Sequence, residues 1–309
     1  MNSVADSMPE PAGVSAPGYN RSRTRPFHWS VRRELWENRS IYIAPLIVAT
    51  IELFGFVIST VGLPERRRDV LLGDPAKARA AIEVPYDMAA VMLILTAFVV
   101  GLFYCLDALY GERRERSILF WKSLPVSDRT TVLSKISVPL VVLPLVTFVI
   151  IVATQVVMML WTSALLITHG MSPSSTWTYV PLIQNAFVLL YGLAAIVLWH
   201  APIYGWALLV SGWARRATFL WAVVPLLAIS IFEKITFNTS YFAALVKDRV
   251  FGFAPEAFSF HVRSGVAIDS LAQLTPGRYL STPGLWLGLL FAAVCVAGAI
   301  RLRRYRGPL

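Results

Sequence analysis

Six apolar runs, separated by polar segments of very unequal length, set the frame of this chain: residues 41–63, 87–109, 136–168, 180–210, 217–236 and 283–300. A helix rises about 1.5 Å per residue, so runs of this length are candidates to cross a hydrocarbon core roughly 30 Å thick. The third and fourth runs exceed a perpendicular crossing and must tilt, kink or project. Pro144 and Pro202 are the expected kinks, because proline removes a helix donor. The sixth run carries Gly284, Gly288 and Ala292 at a spacing of four, a small-residue face that allows close helix packing. The pattern predicts an all-α membrane protein with six transmembrane helices, residues 27–309 forming a single transmembrane domain.

The segments between the runs differ in character. Residues 64–86 are a polar connection carrying Glu65, Arg66, Arg67, Arg68, Asp69 and Asp74. Residues 169–179 are a short turn, and 211–216 a tighter one holding Arg215 and Arg216. The longest connection, 238–282, contains moderately apolar pieces at 241–246 and 250–258 that are too short to cross and read as re-entrant or surface helices.

Ahead of the first run, residues 1–26 are a Pro, Ser, Gly and Ala mixture with no basic segment leading into an apolar core, expected to be a disordered tail and not a signal peptide. Residues 27–37, FHWSVRRELWE, read as an amphipathic interfacial helix. Phe27, Val31 and Leu35 form one stripe, Trp29 and Trp36 a second roughly opposite, and Arg33 can pair with Glu37 at i,i+4. Two apolar sides suit a helix wedged between headgroups and another protein, or a basic anchor with tryptophans at headgroup level.

Composition agrees with the pattern: 56% hydrophobic residues, 15% charged ones and a mean hydropathy of +0.61 are not those of a soluble domain. The formal charge of +10 does not signal nucleic acid, because the basic residues flank apolar runs instead of lining a polar fold. Anionic lipid headgroups are the simpler partner. Of the 28 Lys and Arg, 18 fall on the side that holds both termini and residues 110–135, which the positive-inside bias places in the cytoplasm. Arg66, Arg67 and Arg68 fall on the other side and argue against that assignment. Cys105 and Cys295 lie inside apolar runs and read as packing residues, with no disulfide framework and no metal site.

Catalytic chemistry is not visible. The sequence has no phosphate-binding loop, no zinc helix of the His-Glu-x-x-His kind and no Gly-x-Ser-x-Gly nucleophile turn, and its four histidines are scattered. No cofactor is expected on this chain. Glu52 sits at the middle of the first run, where a charge costs about 2.5 to 3.5 kcal/mol on insertion scales, so it should face other helices or a wet cavity. Gln155 is a possible hydrogen-bond partner; a substrate-path role and an interhelical bond both remain open for the pair.

Residues 110–135, YGERRERSILFWKSLPVSDRTTVLSK, are unlike the rest of the chain. Glu112 and Arg116 at i,i+4 can extend the second spanning helix past the membrane. Ser117 can cap a new short helix over 118–124, carrying Lys122 and Leu124 and stopped by Pro125, and Ser127 or Asp128 can cap the third spanning helix. The short helix would display Ile118, Leu119, Phe120 and Trp121, large apolar groups that need a lid from a protein groove or from headgroups.

At this stretch, Leu106 to Lys135, the sequence resembles the membrane subunits of type 2 ABC transporters, the permease class of bacterial exporters. The order of amphipathic helix, six spans and long loop before the last span is similar too. The resemblance implies a cytoplasmic coupling helix at 118–124 docking on a separate ATPase subunit, and a connecting helix at 27–37 packing on it as well. It further implies two ATPase copies carrying ATP and Mg, a second or sister permease copy, outward-side gating elements in 238–282, and a bacterial inner membrane location. The rival classes are a secondary transporter, in which Glu52 and Asp107 would relay protons, and an integral-membrane enzyme, for which no clustered catalytic set exists.

Overall fold

The computed structural model describes residues 26–123, 126–259 and 271–306. The expected tail before Pro26, and Leu124 and Pro125, lie outside the described residues. The elements run α1 (Pro26–Glu37), α2 (Ser40–Ser59), α3 (Leu63–Leu72), α4 (Pro75–Ala108), α5 (Tyr110–Arg114), α6 (Ser117–Ser123) and α7 (Asp128–Ser137). A π-helical turn (Val138–Val142) joins α7 to α8 (Leu143–Thr168), followed by α9 (Ser174–Tyr179), α10 (Leu182–Trp213), α11 (Thr218–Phe237), α12 (Tyr241–Phe251) and α13 (Phe253–Ala257). A single 3-10 turn (Leu271–Gln273), α14 (Pro276–Ser281) and α15 (Pro283–Tyr305) complete the chain. Among the described residues the fold is all-α, with one isolated bridge between Phe258 and Leu274. Six helical stretches are long and apolar enough to cross a membrane, which makes this a multi-pass membrane protein by length and composition.

The spans differ from the apolar runs chiefly at their ends. α4 begins at Pro75 and not near residue 87, so most of the polar connection is helical; Arg79 pairs with Glu83 one turn on at 2.8 Å. The last helix continues past residue 300 to Tyr305. Pro202 sits inside an unbroken α10. Pro144 lies just after the π-helical turn, where the Leu143 amide bonds back five residues to Val138, so the missing donor is absorbed by a widened turn.

Packing centres on α10, which lies against α4, α8 and α15. Gly205 allows the closest approach: a Cβ there would stand 3.1 Å from the Ala292 Cα. At Gly288 the same absence admits Arg249 and Pro202. The small-residue face of α15 is therefore used within the chain. Ile41, Leu93, Ile151 and Leu208 are among the fully enclosed side chains, whereas α11 buries only Ala222 and sits at the rim.

One end of the bundle gathers α1, α5, the start of α7, the turn after α10 and the end of α15; it is called here the basic end. At the opposite end Arg66 and Arg67 find partners inside the chain. Arg66 donates to the carbonyls of Ser59 and of Val61 (2.8 Å), closing the carboxy end of α2. Arg67, 6% exposed, donates to Thr176 Oγ1 at 2.8 Å. The basic run at 66–67 is thus spent on backbone and hydroxyl oxygens, which reduces its weight as an orientation signal. The pieces expected at 241–246 and 250–258 are α12 and α13; Trp199 and His200 of α10 hold this segment through the carbonyls of Asp248 and Val250, both at 3.0 Å.

Candidate functional site

The stretch between the second and third spans is built as a hinge of two short helices. α5 ends at Arg114 and the chain turns through Arg116 in the left-handed region (φ 58°) before α6 starts at Ser117. The Ser117 hydroxyl donates back to the Glu112 carbonyl at 3.3 Å, tying the two helices together. Ser127 caps α7, accepting from the Thr130 amide at 3.1 Å, and Asp128 stands in the positive first turn.

Within α6 the apolar side chains divide sharply. Ile118 is 1% exposed, whereas Leu119 and Phe120 are 59% and 60% exposed. Ile118 is therefore an anchor and does not join the displayed face, which corrects the expectation that all four residues from Ile118 to Trp121 are displayed. Trp121 and Lys122 lie in α6, and Leu124 and Pro125 fall outside the described residues.

Behind α6 lies a buried charge cluster that joins parts of the chain remote in sequence. Lys135 of α7 reaches both oxygens of Glu34 in α1, at 3.0 and 3.1 Å, and Glu112 of α5 at 3.2 Å. Arg303 of α15 pairs with Glu112 at 3.4 Å and with Asp128. Arg33 lies 2.7 Å from Glu34, 3.6 Å from Glu112 and 3.6 Å from Glu37, the last being the expected i,i+4 pair. Tyr104 of α4 donates its hydroxyl to Glu34 at 2.9 Å. Glu34, Lys135, Glu112 and Arg303 are all buried.

Four acids, Glu34, Glu37, Glu112 and Asp128, face three bases, Arg33, Lys135 and Arg303; Glu37 is exposed, so the enclosed part of the cluster is close to neutral, which is what makes its burial tolerable. Burial by itself raises the Glu34 carboxyl; the Lys135 ammonium and the Arg33 guanidinium, with their hydrogen bonds, outweigh it and hold Glu34 below the ordinary carboxylate range.

One local expectation gives way to this cluster. Glu112 does not pair with Arg116: the chain leaves the helix between them, and Glu112 is drawn inward by Lys135 and Arg303. In α1 the enclosed positions are Ser30 and Glu34, with Leu35 partly packed on the core, while Phe27 is exposed. Trp29 and Trp36 are also exposed, with Arg32 over both rings at 5.3 and 4.6 Å.

The neighbouring turn is locked as well. Ser211 accepts from the Leu109 and Tyr110 amides, both at 2.9 Å, and Arg113 donates to the carbonyls of Gly212 (3.0 Å) and Ala214 (3.2 Å) at the carboxy end of α10.

Gln155 and Glu52 are not brought together. Gln155 donates to the Tyr86 carbonyl at 3.4 Å. The Glu52 oxygens are closed off and have no hydrogen-bond partner among the described residues. Among the described residues no His, Cys, Asp and Glu gather into a metal-binding group.

Sequence reasoning passed over Glu34, Lys135 and Arg303. A signal was present for Arg303, which continues the inward row Ala292, Cys295, Ala299 at helical spacing and so is aimed at the interior. Compared with protein-family models, with curated proteins and with solved structures, the chain matches none.

Proposed function

We propose that this chain is the membrane-spanning permease subunit of an ATP-driven transporter of the ABC type. Both termini and α6 lie in the cytoplasm of a bacterial cell, and α6 docks on a separate ATPase. The observation that carries this reading is the division within α6: Ile118 is sunk into the protein while Leu119 and Phe120 project outward. A helix made this way is fastened on one side and presents an apolar surface on the other, as a partner groove requires. The resemblance of Leu106 to Lys135 to the permease class supplies the identity of that partner.

The buried cluster gives the proposed partner something to push on. Force on α6 passes through α5 into Glu112, and from there through Lys135 and Arg303 to α7, α15 and α1. ATP can drive movement only if it favours one arrangement of the spans over another, so the ATPase pair must fit α6 better in one state. On this reading two ATPase copies serve two permease copies, ATP and Mg sit on the partner, and the substrate moves outward.

The test is purification with an ATPase carrying a phosphate-binding loop, followed by transport and hydrolysis assays on the Leu119→Ala, Phe120→Ala double variant. The proposal expects hydrolysis to continue while transport is lost. Transport at the wild-type rate would remove α6 as the docking helix.

A further inference from the structure

Two cavities lie side by side between α10 and α15 at the basic end. The first, about 400 Å³, is lined by Leu209, Gly298, Arg301, Leu302, Tyr305 and Arg306. The second, about 310 Å³, is lined by Trp206, Leu209, Val210, Trp213 and Leu302. Leu209 and Leu302 belong to both, so the two form one groove running from the membrane span to its mouth.

The walls follow from helical spacing. On α10 the lining residues stand at positions 206, 209, 210 and 213, and on α15 at 298, 301, 302 and 305. Each set is the i, i+3, i+4, i+7 stripe of one helix face. Gly298 lets the Leu209 side chain lie close against α15, because a Cβ there would stand 3.0 Å from Leu209 Cδ1. Deeper in, the lining is Trp206, Leu209 and Val210; at the mouth it is Trp213, Arg301, Tyr305 and Arg306.

The mouth is also rich in arginine. Arg303, on the other face of α15, is spent on Glu112 and Asp128, but Arg301 is exposed. Arg306 donates to the Trp213 carbonyl, and Arg306 and Arg215 lie near enough to Arg113 to repel its charge. An apolar slot between spanning helices, ending in arginines and an aromatic belt residue, has the two-part chemistry of an anionic lipid: acyl chain below, phosphate above.

We infer that the α10–α15 groove is a binding site for one anionic phospholipid, its chain against Leu209, Val210 and Leu302 and its phosphate at Arg301 and Arg306. The site needs only that the chain spans a membrane, and it stands or falls separately from the ATPase reading.

The experiment is native mass spectrometry of the purified full chain titrated with phosphatidylglycerol or phosphatidylcholine, with thermal unfolding measured in parallel and inorganic phosphate as a control. Phosphatidylglycerol is expected to bind roughly tenfold more tightly than phosphatidylcholine, and Arg301→Gln to cut that preference about fivefold, the loss of one headgroup contact. Gly298→Leu fills the slot and is expected to weaken both lipids. A photoreactive Tyr305→p-benzoylphenylalanine variant should yield a lipid adduct. Equal binding of the two lipids, no response to either substitution, stabilisation by inorganic phosphate equal to that by phosphatidylglycerol, or a protein adduct in place of a lipid one would each overturn the assignment.

Discussion

Lys135 and Glu34 are 101 residues apart in sequence, yet the ammonium stands 3.0 and 3.1 Å from the two carboxylate oxygens and both side chains are enclosed. α1 is therefore fastened to the bundle by charge more than by its apolar face. Removing one partner strands the other in the interior, which costs about 3 to 5 kcal/mol for buried pairs. Lys135→Met should lower the unfolding midpoint sharply and raise the labelling rate of a Ser30→Cys reporter on the enclosed face of α1. Adding Glu34→Gln to Lys135→Met should recover part of the loss; if the double variant is worse by the sum, the two residues are not coupled.

The same pair fixes a pH response. Glu34 is held below the ordinary carboxylate value, so its contribution to stability is complete above the unfolded value of about 4.3 and disappears as pH falls through the lower folded value. Unfolding midpoints measured downward from pH 7 should hold until about pH 5 and then fall. The Glu34→Gln variant should start lower and show a shallower decline. An unchanged acid slope in that variant would assign the loss to other carboxylates.

Ile118 and Leu119 are neighbours with opposite roles, and a stability assay separates them. Truncating enclosed Ile118 to Ala should cost about 2 to 5 kcal/mol, whereas Leu119→Ala should stay within roughly 0.5 kcal/mol. Guanidinium-free thermal unfolding in detergent reads both. Equal losses would mean that α6 is packed on both sides within one chain.

Gly205 tests the core directly. A side chain there meets backbone, the Ala292 Cα at 3.1 Å, which cannot rotate away. Gly205→Val should destabilise by about 1 to 3 kcal/mol or more, through forced separation of α10 and α15. Gly55, where a Cβ would meet nothing within 4 Å, is the control, and Gly55→Ala should be neutral or mildly stabilising in the same assay.

Glu52 lies inside the first span with neither carboxylate oxygen hydrogen-bonded among the described residues. Replacing it with Leu removes a polar group from an apolar setting and should raise the unfolding midpoint of the isolated chain. A lowered midpoint would show that the carboxylate is satisfied by a second copy or by water.

The spans were legible because each is a long apolar run, a signal carried by one segment alone. α6 was legible for a similar reason: serine, proline and the apolar residues between them are punctuation read locally. The cluster was not, because no local rule links Glu34 to Lys135 or Glu112 to Arg303. The i,i+4 rule even favoured Arg116 for Glu112, and only the turn at Arg116 decides otherwise. Likewise no local rule links Arg66 to the carbonyls of Ser59 and Val61 or Arg67 to the Thr176 hydroxyl.

The π-helical turn between α7 and α8 holds one residue more than an α-helix would need over the same rise. The third span is thus two helical halves kept in phase by a surplus residue. Deleting Leu140 would return the turn to ordinary α-helix and leave Lys135 still aimed at Glu34. Deleting one residue within α8 would instead rotate everything on one side of the cut by about 100°. The span is tolerant of shortening at one address and intolerant elsewhere, and that address separates the part of the helix that meets α1 from the part that crosses the membrane.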